Sequence, residues 1–180
     1  DVLLPTLLST IGMYASWATT YGFVPILAKT MGANDVVQSM LVTFSLVLTG
    51  VGNLTATTIV QRIGAKRLVY ASFVLIFAGV ALLVVAPSLA VLFVAQAFLG
   101  LAQGIGYPVT MGLSIRHVSD KERTTAMGLH QAIYAIGMFG GPALSGVLAK
   151  WLGVRPMFAI TAVACLASGM LLTMLLREKE

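Results

Sequence analysis

Six apolar stretches, each about as long as a bilayer is thick, take up nearly all of this 180-residue chain. A bilayer core demands about 20 apolar residues per helix. It also forbids unpaired backbone, so a spanning segment of this kind must be helical. The spans are expected near residues 3–28, 36–60, 68–86, 89–115, 124–149 and 157–176. No Asp, Glu, Lys or Arg lies inside any of them, and the 9% of residues that are charged fall at the ends and in the loops. This pattern excludes a soluble fold and most enzyme chemistry. The expected fold class is an all-α membrane protein, a single six-helix transmembrane bundle over residues 1–180.

The net charge of +5 invites a nucleic-acid partner, but its distribution argues against one. Arg62, Lys66 and Arg67 lie between spans 2 and 3, and Arg116, Lys121 and Arg123 between spans 4 and 5. Arg177 and Lys179 follow span 6. In an alternating bundle these would share one side, with only Lys29, Lys150 and Arg155 on the other. Cytoplasmic loops carry the excess of Lys and Arg. Both termini are therefore expected in the cytoplasm, and the charge reports membrane orientation. The lone Cys165 sits in mid-span and reads as a small packing residue. Cys165, His117 and His130 cannot form a ligand set by spacing, so no metal and no cofactor are expected. The chain begins with Asp1, not Met, and a neighbouring segment is expected beyond it.

Short links join the spans, so sequence neighbours should pack antiparallel. Ser119 and Glu122 have capping-box spacing before span 5, and Asn34 or Asp35 stands where a cap for span 2 would. Spans 3 and 6 are almost wholly aliphatic or aromatic and suit lipid contact. Spans 1 and 4 instead carry polar stripes: Thr10, Tyr14, Trp17 and Tyr21 in the first, Gln96, Gly100, Gln103 and Tyr107 in the fourth. Spacings of four, three and four put each set on one helix face. Amides and phenols are costly in hydrocarbon, so these faces should look at protein or a wet cavity. Span 1 ends in Tyr21-Gly22-Phe23-Val24-Pro25 and span 4 in Gly104-Ile105-Gly106-Tyr107-Pro108. Gly/Pro-interrupted segments at matching places point to a three-plus-three inverted repeat and a transporter's binding site.

Three motifs carry a family resemblance. Between spans 2 and 3 the chain reads Gln61-Arg62-Ile63-Gly64-Ala65-Lys66-Arg67. Span 4 contains Gly100-Leu101-Ala102-Gln103-Gly104-Ile105-Gly106. In span 5, Gly128 is followed by Gly137, Gly141-Pro142 and Ser145-Gly146. These resemble the loop, fourth-helix and fifth-helix motifs of the major facilitator superfamily, the last in its drug–proton antiporter form. Gln61 stands where the family has Asp, Gly100 where it has Arg, and Ser145 where it has Gly. The resemblance implies one six-helix half of a twelve-helix fold, with the carboxyl-terminal half favoured. It also implies a secondary transporter, an antiporter of the cell (inner) membrane, working by alternating access with a small-molecule substrate and an efflux role. The second half would be fused in the full protein or supplied by another copy. Arg62, Gly64, Lys66 and Arg67 would form a gating loop, and the span 5 motif a tightly packed, bent helix at a sliding interface. In the family the first and fourth helices of each half line the cavity, which is where the polar stripes lie.

The expected cavity lining is Tyr14, Trp17, Tyr21, Gln96, Gln103 and Tyr107. Aromatic faces with polar tips, beside amides, suit an uncharged or amphipathic solute. His130, near the start of span 5, is the candidate for carrying a coupling proton. Asn53 reads as structural glue. Two other readings compete: a membrane scaffold without transport, and an intramembrane serine hydrolase built on Ser114 of Gly112-Leu113-Ser114-Ile115 with His130. The hydrolase lacks the final glycine of its turn.

Overall fold

The computed structural model describes residues 2–176. Among these the chain is helical apart from short connecting loops and contains no strand. The expected tail residues Arg177 and Lys179 lie outside the described residues.

The first expected span is built from three helical pieces in direct succession. Helix α1 covers Leu3–Ser16, a π-helical segment covers Trp17–Phe23, and α2 covers Val24–Thr30. The wide turn is visible in its closing bond, from Val24 N–H five residues back to the Thr19 carbonyl. Gly22 permits it: a Cβ there would stand 2.8 Å from the Trp17 carbonyl oxygen. Pro25 then falls in the first turn of α2, where its missing N–H costs nothing. The matching segment of span 4 behaves differently, since α5 runs unbroken through Pro108.

Five further helices, α3 (Asp35–Ile63), α4 (Ala65–Val85), α5 (Leu89–Ile115), α6 (Arg123–Leu152) and α7 (Val154–Leu175), are each long and apolar enough to cross a membrane. Asn34 caps α3, accepting a 2.9 Å bond from Val37 N–H. The expected capping box at α6 is corrected. Its N-cap is Glu122, which makes no side-chain cap bond. The Ser119 hydroxyl instead donates to the Glu122 carboxylate at 2.9 Å. Glycines with φ of +91° and +95°, Gly64 and Gly153, make the reversals from α3 to α4 and from α6 to α7. Glycine adopts that left-handed region without a Cβ clash.

Helix α5 packs along both α3 and α4, α1 lies along α6, and α4 lies along α7. Val69, Phe73, Val80 and Leu83 of α4 and Met157 and Phe158 of α7 are buried in the shared core. Span 3, expected to suit lipid contact, is α4, which has the largest buried share of the long helices and still keeps an outer face. One of its faces is covered by α5 and α7, and only residues such as Val74 and Val85 point outward. Helices α3 and α6 are the least covered.

Candidate functional site

Polar side chains converge where α1 and the π segment meet α5 and α6. Thr6 Oγ1 donates to the Val2 carbonyl at 2.7 Å and lies 2.9 Å from His130 Nδ1. The Thr6 hydroxyl thus stands between the Val2 carbonyl and the imidazole, and either Thr6 or His130 can supply the proton of their shared bond. His130 is fully buried, and Nε2 has no partner among the described residues. The Tyr134 and Tyr107 rings pack around the imidazole at 5.6 and 6.4 Å, and around each other at 5.5 Å. One turn along, Ser9 Oγ and Thr110 Oγ1 lie 2.6 Å apart. Further on, the Tyr14 hydroxyl meets Ser145 Oγ at 3.2 Å.

The expected lining residues divide. Tyr14, Trp17, Tyr21, Gln103 and Tyr107 are half-buried and so keep open surface in this bundle. Trp17 and Tyr21 stack with centroids 5.1 Å apart, and Tyr21 interacts with Gln103 of α5. Gln96 is a correction. It is completely enclosed, accepting from Thr20 Oγ1 at 3.0 Å and donating to the Leu41 carbonyl at 3.4 Å. It ties the π segment, α5 and α3 together and lines nothing. Asn53, read as glue, is exposed on α3. Ser114 Oγ donates to the Met111 carbonyl at 2.7 Å and does not meet His130, whose ring partner is Thr6. The serine hydrolase constellation is absent.

Glycines bring two helix pairs into backbone contact. A Cβ on Gly137 would collide with the Thr10 carbonyl of α1, and one on Gly141 would stand 2.7 Å from the Tyr14 oxygen. Across the bundle, a Cβ on Gly100 or Gly104 of α5 would collide with the Ser45 or Thr49 carbonyl of α3. Small residues at four-residue spacing permit such approach. The rest of the α6 motif is elsewhere: nothing lies within 4 Å of a Cβ on Gly128, and only the Phe23 ring edge, at 4.0 Å, near one on Gly146. Pro142 is half-buried within α6.

The gating-loop residues also separate. Arg62 and Arg67 are exposed. Lys66 Nζ donates to the Met174 and Leu176 carbonyls, at 3.1 and 2.8 Å, at the end of α7. Arg155 does the same for α4, donating to Val84 and Ala86 carbonyls, each at 2.7 Å. Both cations meet the negative end of a helix dipole and satisfy its orphan carbonyls. Beside the loop, α3 and α5 diverge around a groove of about 640 Å³, with Thr57, Val60, Gln61, Leu113 and Arg116 among its walls.

Several of these residues carried no single-residue signal. Thr6, Ser9 and Thr110 are ordinary hydroxyls in apolar runs. Tyr134 lies one turn from His130, and that spacing was the available hint. Arg155 follows Gly153 exactly as Lys66 follows Gly64, a parallel visible in the sequence once the two glycines are paired.

A bundle of long apolar helices that turns its hydroxyls, amides and phenols toward one another is the architecture of an integral membrane protein. The sequence matches the Major Facilitator Superfamily over residues 6–180. The chain belongs to that family, whose related members are transporters and not enzymes. It is similar to the vesicular acetylcholine transporter of Tetronarce californica, 27% identical over 153 residues, covering 83% of this chain and 29% of the relative. It is also similar to the probable vesicular acetylcholine transporter-A of Danio rerio, 28% identical over 117 residues, 63% of this chain and 22% of the relative. A third is the synaptic vesicular amine transporter of Mus musculus, 28% identical over 110 residues, 61% and 21% respectively. The chain spans less than a third of the length of each of these relatives.

Proposed function

We propose that this chain is one six-helix half of a secondary transporter that moves a small solute across a membrane by alternating access. The observation that carries the reading is the family match joined to an uncharged aromatic and amide face on α1, the π segment and α5. In this reading α1, the π segment and α2 together make the first span and bring the total to six. A second six-helix bundle, fused in the whole protein or supplied by another copy, closes the solute path against that face. Both termini lie in the cytoplasm.

An inverted three-plus-three arrangement is supported by paired features. Spans 1 and 4 exchange under such a repeat, as do 2 and 5, and 3 and 6. The glycine-mediated crossing of α1 with α6 is then the counterpart of that of α5 with α3. Gly64-Ala65-Lys66, capping α7, is the counterpart of Gly153-Val154-Arg155, capping α4. The carboxyl-terminal half is favoured by the charge-free α1 and α5.

Trp17, Tyr21 and Tyr107 offer ring faces that attract cations, and the described lining holds no charged side chain. The relatives named for acetylcholine and for amines agree with an amphipathic organic cation as substrate. Efflux by exchange with protons is the direction we favour. No carboxylate lies within the apolar spans, so His130 or a group in the second half would carry the coupling proton.

The test is uptake of labelled acetylcholine and a labelled monoamine into proteoliposomes holding the chain together with its second bundle. Saturable, gradient-dependent flux that falls on Tyr107→Ala supports the proposal. A complete two-bundle protein that binds such solutes but moves none would favour the scaffold reading.

A further inference from the structure

Gln96 is the one side chain of the expected lining that the structure encloses completely, and its two partners show what it does. Its carboxamide oxygen accepts from Thr20, inside the π segment, at 3.0 Å. Its nitrogen reaches the Leu41 carbonyl on α3 at 3.4 Å. The π segment is an unusual local structure. Seven residues with a wide turn give up the tighter packing of an α-helix, and such segments persist only where surrounding contacts hold them. Within its own chain the segment is pinned by three features. Thr19 Oγ1 donates to the Ala15 carbonyl at 2.6 Å. Gly22 leaves room for the Trp17 carbonyl. The Ala18 backbone nitrogen would stand 2.9 Å from a Cβ on Gly141 of α6. The Thr20–Gln96 bond is its fully buried side-chain tie to α5, beside the half-buried Tyr21–Gln103 interaction. Within this segment stand Trp17, its first residue, and Tyr21, stacked at 5.1 Å, with Tyr21 against Gln103.

We propose that Gln96 is a positioning residue: by holding Thr20 it keeps residues 17–23 in the π register and so sets the orientation of the Trp17–Tyr21 pair toward the solute path. It touches no solute itself. A buried amide bridging two helices loses most when one partner is removed, and here the loss falls on the segment least able to hold its geometry alone. Release lets the turn tighten toward an α-helix. That rotates Tyr21 and all of α2 about the helix axis relative to α1. The inference rests on the transporter reading only for what the Trp17–Tyr21 pair faces; the hold itself is a property of this chain.

The chain offers a direct probe, because its two tryptophans are Trp17 and the exposed Trp151. In a Trp151→Phe background in lipid nanodiscs, emission reports Trp17 alone. Gln96→Leu, which keeps the volume and removes both bonds, and Thr20→Val, which removes one from the other side, should shift Trp17 emission by the same amount. Each should also speed amide exchange over residues 18–24 about tenfold, while α4 and α7 exchange as before. The double variant should behave as either single one. Thr20→Val is small and carries the test alone if Gln96→Leu does not fold. Unchanged emission and exchange in the segment would overturn the proposal. So would exchange that rises equally along every helix, the signature of a residue that merely stabilises the bundle. Neither readout needs a solute, so failure of transport and failure of this hold are separately visible.

Discussion

Gly140 and Gly141 are adjacent in α6 and lie in different worlds, which makes them a matched pair. A Cβ on Gly141 would stand 2.7 Å from the Tyr14 oxygen and 2.9 Å from the Ala18 nitrogen, both backbone atoms of the neighbouring helical segment. A Cβ on Gly140 meets nothing within 4 Å. Gly→Ala in a helix interior gains roughly 1 kcal/mol of propensity at either position. The gain therefore cancels when the two variants are compared. What remains is the clash at position 141. Neither obstructing atom sits at the end of a flexible side chain, so α1 and α6 must separate by several tenths of an ångström. Overpacking of this kind costs about 1–3 kcal/mol. For a chain of this size that corresponds to roughly 2–12 °C between the variants. Cys165, buried and the only cysteine, supplies the assay. A thiol-reactive dye added to the detergent-solubilised chain stays dark until the bundle opens, and its signal gives the melting temperature. Gly140→Ala should melt at or above the parent, and Gly141→Ala clearly below Gly140→Ala. Equal melting temperatures would show that α1 and α6 are not in backbone contact, and would refute the packing on which the site is built.

Other perturbations separate the same way. Thr6→Val removes the side-chain partner of His130 Nδ1 inside the bundle and should cost about 1–3 kcal/mol, whereas exposed Ser119→Ala should be silent in the same melt. Arg155→Gln strips the cation from the last carbonyls of α4, which is partly exposed work worth about 1 kcal/mol; amide exchange should quicken near Val84–Ala86 and not in α5. Asn34→Ala removes the cap of α3 and should lower stability by about 1 kcal/mol, with fraying confined to the first turn of that helix.

The helical architecture was legible because a bilayer leaves few options: runs of apolar residues, bounded by glycines and charges, fix where most of the helices lie. The Gly137–Gly141–Ser145 stripe announced a close crossing by spacing alone, and the contact with Thr10 and Tyr14 is its consequence. Three things were less legible. The π segment was hidden because Trp17–Phe23 has the composition of any membrane helix, and its register is decided by Gln96 and Gly141 on other helices. Gln96 shares a helical face with Gln103 by spacing. Face assignment cannot tell which end of a stripe is covered, and here α3 and the π segment close over the Gln96 end. The capping box at Ser119 matched a pattern whose side chains instead satisfy each other in solvent.

In the transporter we propose, the half-buried face of α1 and α5 lines a watery path while the outer faces of α4 and α7 meet lipid. Cysteines placed singly at Gln103, Tyr107, Val74 and Val163 in a Cys165→Ala background, with the chain reconstituted beside its second bundle, test it most directly. A charged, membrane-impermeant thiol reagent should modify positions 103 and 107 and leave 74 and 163 untouched. Modification at 74 and 163 with protection at 103 and 107 would contradict the account.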